Sequence, residues 1–282
     1  MVPASDPRDR PIAVFDSGVG GLTVLHELLV QLPGEDYIYL GDTARFPYGN
    51  RSAEELAAFS MEIAEELLAR RAKLLVVACN SATAAALPAL RERMRQTTLG
   101  VDVLGVVRPE AVQAVAATRT GRIGLLATPA TVASGAYDEA VRAADPHVAL
   151  TSVAAPELAS LIQDGSEFDD EVVALVRGYV GPLREAGVDT VILGCTHYPL
   201  LRPMLQRLLG PRVRIVGSGA ALARQVEHAL GTRDLANRRE GEGEYRFLTT
   251  GDPESFRALG SRFLQLPLGP VEQVVVAREA AA

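Results

Sequence analysis

Cysteine, histidine and lysine are scarce in this chain, and each scarcity removes a class of chemistry. Two cysteines in 282 residues, Cys79 and Cys195, do not make a secreted disulfide scaffold. His26, His147, His197 and His228 are scattered, with no CxxC or HxxxH spacing, so no metal site is expected. The only lysine, Lys73, precedes an apolar run and stands at the end of that strand opposite the one where α/β sites form. Pyridoxal chemistry needs a Schiff-base lysine and is therefore not expected. No run reaches the roughly 18 apolar residues of a membrane span. Residues 1–10 lack the apolar stretch of a signal peptide and read as a flexible tail, which makes the cytoplasm the expected location. A net charge of −7 argues against nucleic acid as a main ligand.

What is present is a hydrophobic content of 48%, enough for one large domain or two of ordinary size. Short apolar runs at 12–15, 37–40, 74–78, 103–107, 123–127, 148–153, 190–193 and 213–216 read as strands. Between them, helical patterns cover 22–31, 53–71, 82–95, 109–117, 130–144, 169–185, 204–209 and 219–230. Strict alternation with continuous apolar strands predicts an α/β fold of parallel sheets covered on both faces. Eight such units could close a barrel, but the site-like strand ends recur in two similar sets, which favours two sheets. After the polar run 240–244, residues 245–249 and 271–276 read as an added strand pair with a helix over 256–263.

Each cysteine closes an apolar strand where a polar turn begins, in Val77-Ala78-Cys79-Asn80-Ser81 and Leu193-Gly194-Cys195-Thr196-His197. A lone cysteine at a strand end is most often a small buried hydrophobe. Here the hydrogen-bonding residues that follow, and a helix start whose amides lower a thiol's pKa from about 8.5 toward neutrality, point to reactivity. Two thiols facing each other across a substrate suit proton removal on one face of a carbon and delivery on the other. His197, two residues beyond Cys195, is placed to stabilise a thiolate or shuttle a proton. The turn Asp16-Ser17-Gly18-Val19-Gly20-Gly21 suits a small anion, because Thr23 stands where a dinucleotide fingerprint needs its third glycine. Asp16 reads equally as a proton carrier or a helix cap. Pro47-Tyr48-Gly49 suits a substrate wall, and Thr128 and Thr131 put two hydroxyls on a turn where capping is the plainer role.

These segments together resemble the glutamate racemases. The resemblance is carried by Asp16-Ser17-Gly18-Val19-Gly20-Gly21-Leu22-Thr23-Val24, by Gly41-Asp42-Thr43-Ala44-Arg45 with Pro47-Tyr48-Gly49, by Cys79-Asn80-Ser81-Ala82-Thr83 and by Leu193-Gly194-Cys195-Thr196-His197-Tyr198-Pro199-Leu200. It implies two flavodoxin-like lobes related by pseudo-two-fold symmetry, with the substrate in the cleft between them. On that basis the first lobe is expected to hold residues 11–100 and 212–282, and the second 101–211. It implies an isomerase that interconverts L- and D-glutamate without cofactor or metal and supplies D-glutamate for peptidoglycan. Cys79 would act on D-glutamate with help from Asp16, and Cys195 on L-glutamate with help from His197. Substrate contacts would fall on Asp16, Ser17, Tyr48, Gly49, Asn80, Ser81, Thr128, Thr131, Thr196 and His197. Two positions depart from the family: Ser81 stands where threonine is usual, and Gln163 stands near a usual glutamate, where an amide cannot ionise. An aspartate or other amino-acid racemase of the same two-cysteine superfamily and a non-catalytic anion-binding module on the same fold remain as alternatives. The oligomeric state, monomer or homodimer, is left open.

Overall fold

Every strand pairing in the computed structural model, which describes residues 6–97, 100–165 and 169–276, is parallel. The strands β1 (Ile12–Asp16), β2 (Tyr37–Gly41), β3 (Leu74–Val77) and β4 (Asp102–Gly105) form one sheet in the order β2-β1-β3-β4. The second sheet repeats that order as β6-β5-β7-β8, from β5 (Arg122–Ala127), β6 (Ala149–Ala154), β7 (Thr190–Gly194) and β8 (Arg214–Val216). Two open sheets, not a barrel, carry the chain. The run β1, β2, β3 and β7 is buried from end to end, as expected where helices cover both faces. Burying each large aliphatic side chain there contributes about 1.5–3 kcal/mol.

Helices α1 (Leu22–Gln31), α2 (Ala53–Ala69), α3 (Asn80–Gln96) and α4 (Val107–Ala117) lie close to the expected spans. Leu56, Ile63, Ala64 and Leu67 of α2 face the core, and Ser52 with Glu55 closes a reciprocal capping box at its start. The pattern over 130–144 is two helices, α5 (Pro129–Ala133) and α6 (Ala136–Ala144), because Gly135 takes a left-handed φ of +66° between them. The short α7 (Leu158–Gln163) was not expected, and α8 (Asp170–Glu185), α9 (Arg202–Leu209) and α10 (Gly219–Thr232) follow. Beyond them, β9 (Tyr245–Thr249) adds to β2 and β10 (Val271–Gln273) adds to β9, with α11 (Pro253–Leu264) between. The C-terminal pair therefore extends the first sheet.

Sheet membership corrects the expected lobe boundaries. β4, at 102–105, pairs with β3 and belongs to the first sheet, while β8, at 214–216, pairs with β7 and belongs to the second. Each lobe takes its fourth strand across the boundary assumed from sequence, because βα units look alike whichever sheet they join. Of the expected flexible tail, residues 1–5 lie outside the described residues, and Pro7–Asp9 form a single 3-10 turn capped by Asp6. Lys73 holds that turn: its buried Nζ donates to the Arg8 carbonyl at 2.5 Å and pairs with Glu35 at 2.5 Å. Among the described residues, no helix is long and apolar enough to cross a membrane.

Candidate functional site

In both sheets the strand order reverses beside the first strand, between β1 and β3 and between β5 and β7. Open parallel sheets bind ligands beyond such reversals, at the carboxyl ends of the strands. Asp16 ends β1 and Ser17 follows it, Cys79 lies just beyond β3, Thr128 follows β5, and Cys195 follows β7. The two lobes bring these ends together around one small cavity of about 20 Å³, room for about one water molecule. Of the twelve expected site residues, ten line it: Ser17, Tyr48, Gly49, Cys79, Asn80, Ser81, Thr128, Cys195, Thr196 and His197. Asp16 and Thr131 lie behind that lining. Phe46, Pro47 and Ala159 complete the wall.

Both cysteines are unbridged and buried. Cys79 is the N-cap residue of the seventeen-residue α3, and its Sγ lies 3.8 Å from the Ser17 hydroxyl. The expected lowering of its pKa is overridden. Burial, followed by the nearby Asp16 charge, pushes the thiol up to about 12, against lowering contacts from the Ala82 and Ser17 backbone. Burial likewise raises Cys195, with the His197 and Tyr198 backbone opposing. Helix-start amides do reach the sulfur, but sequence does not reveal how dry the sulfur is.

The surroundings of Cys195 centre on His197, whose Nδ1 lies 3.9 Å from Sγ and whose Nε2 lies 3.0 Å from Gln163 Oε1. An amide oxygen accepts, so Nε2 carries the proton and Nδ1 presents a lone pair to the thiol; the tautomer follows from these partners. Burial lowers the pKa of His197 to about 3, so the ring is neutral at pH 7. Phe46 and Phe263 hold it, with ring centroids at 5.4 and 5.2 Å.

Asp16 is fully buried, and burial raises its pKa to about 6, against the opposing backbone contacts of Gly21 and Gly18. Its oxygens accept from Gly18 N at 3.1 Å and, across the lobe boundary, from Thr196 Oγ1 at 3.2 Å. The glycine turn also faces the opposite lobe. A side chain at Gly20 would meet His197 Nδ1 at 2.4 Å and Thr196 Oγ1 at 2.5 Å, so its glycine admits the opposite lobe.

A second interlobe contact joins Ser81 Oγ to Thr128 Oγ1 at 2.9 Å and to Thr131 Oγ1 at 3.1 Å. Thr128 also caps α5, so it both plays the plainer role and lines the cavity. Gly49 packs so closely on Thr128 that an added Cβ would lie 2.9 Å from the threonine Cβ. Tyr48 reaches the cavity with its hydroxyl already committed, since that group donates to buried Asp42, which also accepts from Arg45 Nε at 2.6 Å. Asn80 has its Nδ2 tied to Tyr137 OH at 2.7 Å and to Glu110 Oε2 at 3.3 Å. Sequence reasoning missed Glu110 and Tyr137, because an acid in a first helical turn and a tyrosine on a helix face read as ordinary surface and core. Burial pushes the Glu110 carboxyl up to about 8, opposed by Ser218, Tyr137 and Asn80. No cluster of three or more His, Cys, Asp or Glu fit to hold a metal occurs among the described residues.

With the geometry in hand, comparison with known proteins adds identity. The Asp/Glu/Hydantoin racemase family matches residues 20–226. A protein of Geobacter metallireducens named glutamate racemase is 45% identical over 271 residues, covering 96% of this chain and 98% of the relative. The crystal structure of a glutamate racemase isoform from Bacillus anthracis superposes with a TM-score of 0.89 at 38% identity, covering 95% of this chain and 98% of that one. A glutamate racemase from Francisella tularensis, solved in complex with D-glutamate, gives a TM-score of 0.88 at 31% identity, covering 95% and 98%.

Proposed function

The chain belongs to the Asp/Glu/Hydantoin racemase family, and from that premise we propose that it interconverts L- and D-glutamate with two cysteines as its acid and base. The observation that carries the scheme is the pair Cys79 and Cys195, at matching strand ends of opposite sheets and on the wall of one cavity. One thiolate takes the α-proton, breaking C–H and forming S–H. The opposite thiol gives its proton to the other face of the carbanion and becomes the thiolate. Each turnover thus leaves thiol and thiolate exchanged.

The α-proton of a zwitterionic amino acid is a very weak acid, so a thiolate alone is insufficient. Fixed backbone dipoles and the exclusion of water must stabilise the charge that develops. Burial keeps both thiols protonated at neutral pH; as substrate enters, the positive charge of its ammonium group favours loss of one thiol proton to water before the lobes close, leaving one thiol and one thiolate. A cavity sized for one water cannot admit glutamate, so the lobes separate for binding and close over it. In this reading Cys79 serves D-glutamate and Cys195 serves L-glutamate. Asp16 acts on the Cys79 side through its charge, and His197 acts on the Cys195 side through Nδ1. Ser17, Tyr48, Gly49, Asn80, Ser81, Thr128 and Thr196 contact the substrate, with Thr131 supporting Ser81 and Thr128. The proposal includes a cytoplasmic location, supply of D-glutamate for peptidoglycan, and no cofactor.

A coupled assay with L- and D-glutamate against L- and D-aspartate, without pyridoxal phosphate, tests the function. Turnover of both glutamate enantiomers with little on aspartate is expected. Preference for aspartate would indicate the sister activity, and no turnover would indicate a non-catalytic module.

A further inference from the structure

Asn80 stands on the cavity wall in the first lobe, yet its amide is held by two residues of the second. Tyr137 on α6 is 1% exposed and Glu110 on α4 is fully buried. The hydrogen-bond directions are constrained. Tyr137 has one proton, which it donates to Glu110 Oε2, so its oxygen is left to accept from Asn80 Nδ2 at 2.7 Å. Glu110 Oε2 accepts from the same Nδ2 at 3.3 Å. The direction holds whether or not Glu110 is ionised, because a proton on its partnerless Oε1 leaves Oε2 an acceptor. Both donor bonds of the amide therefore run toward the second lobe. Asn80 Oδ1 is buried and without a hydrogen-bond partner among the described residues. A buried carbonyl without a donor costs about 1–3 kcal/mol, so a ligand that supplies one is favoured.

From this geometry we infer that Tyr137 and Glu110 are positioning residues, which fix the Asn80 amide so that Oδ1 is the acceptor for the substrate's ammonium group. Ammonium is the only N–H donor glutamate carries. The arrangement ties the acceptor to lobe closure, since α4 packs on the second sheet and α6 packs on α4 with Tyr137 and Val141 in the same apolar cluster as β5 and β7, while Asn80 begins α3 on the first. A separation of the lobes that breaks the two bonds frees the amide to rotate.

The inference rests on the proposed function, and steady-state kinetics separate the two. Tyr137→Phe is expected to raise KM for both glutamate enantiomers about tenfold, the worth of one net hydrogen bond, with kcat changed far less. Glutarate has both carboxylates and no ammonium, so its inhibition constant should stay unchanged in this variant. In an Asn80→Ala background, Tyr137→Phe should raise KM no further. Glu110→Gln keeps an acceptor oxygen and should leave KM within about twofold, which keeps the inference testable if Tyr137→Phe fails to fold. An unchanged KM in Tyr137→Phe, equal weakening of glutarate, additivity with Asn80→Ala, or a large KM effect of Glu110→Gln would each overturn the positioning role. A wild-type protein that does not racemise glutamate would refute the function itself.

Discussion

Cys79 and Cys195 end equivalent third strands of two sheets that share one strand order, yet their neighbourhoods differ. Cys79 caps a seventeen-residue helix and lies beside the Ser17 hydroxyl and the charge of Asp16. Cys195 leads into a single 3-10 turn over Tyr198–Leu201, and its partner is a neutral imidazole backed by the Gln163 amide. The fold is doubled, whereas the acid–base surroundings are not. In the two-base reading, two like groups are required because the reaction is symmetric, but any local device that shields or polarises a thiol serves. Since enantiomers have equal free energy in water, the asymmetry cannot appear in the ratio of kcat/KM for the two directions. It must appear in half-reactions.

The largest expected effect falls on what the two halves share. Cys79→Ala and Cys195→Ala should each lower racemisation by more than about a hundredfold, the low end for a positioned acid–base group. Near-normal turnover in either variant would make that cysteine structural and break the equivalence. Next come the groups that differ. His197→Asn should slow proton removal from L-glutamate more than from D-glutamate, and Asp16→Asn the reverse, each by roughly tenfold to a hundredfold. Loss of α-tritium from each enantiomer in single-turnover mode reads this out, and equal slowing of both enantiomers would remove the assigned sides.

A smaller effect sharpens the contrast through stability. Burial raises Glu110 from its ordinary 4.5 to about 8, so between these values the native state holds a proton that the unfolded chain has released. Stability from this group is therefore greatest at the acid end and falls as pH rises through that window. Thermal melts of Glu110→Gln should show a flatter fall from pH 5 to 8 than wild type, and an identical slope would contradict the burial-driven shift. Tyr137, Asn80 and Ser218 are the groups that oppose it, and Glu110→Gln leaves all three in place. The smallest effect is none: prolonged dialysis against EDTA should leave activity intact, and activity lost and then restored by zinc would require a metal role.

The two cysteines and their polar turns were legible because an apolar strand that stops at Cys79 or Cys195 carries its own signal. The alternation of strands and helices was legible for the same reason. Sheet membership was not, because β4 and β8 look alike as sequence and only the crossover decides which sheet each joins. The break at Gly135 was hidden within a continuous helical pattern. Residue 163 was noted as a glutamine in an acidic position, but its contact with His197 appears only in three dimensions. Glu110 and Tyr137 carry no local mark at all, since what buries them is the packing of α4 and α6 against each other and the second sheet. Thiol pKa values failed for a related reason: sequence supplies the helix start and not the depth of burial.

The central claim, that two thiols act as separate bases on opposite faces, is tested most directly by elimination from threo-3-chloroglutamate. Loss of chloride needs only one proton removal, so a single working thiol is enough. Cys195→Ser retains Cys79 and should process the D form, while Cys79→Ser should process the L form. The opposite pairing would reverse the assignment of faces, and equal activity of both variants on both forms would contradict separate bases altogether.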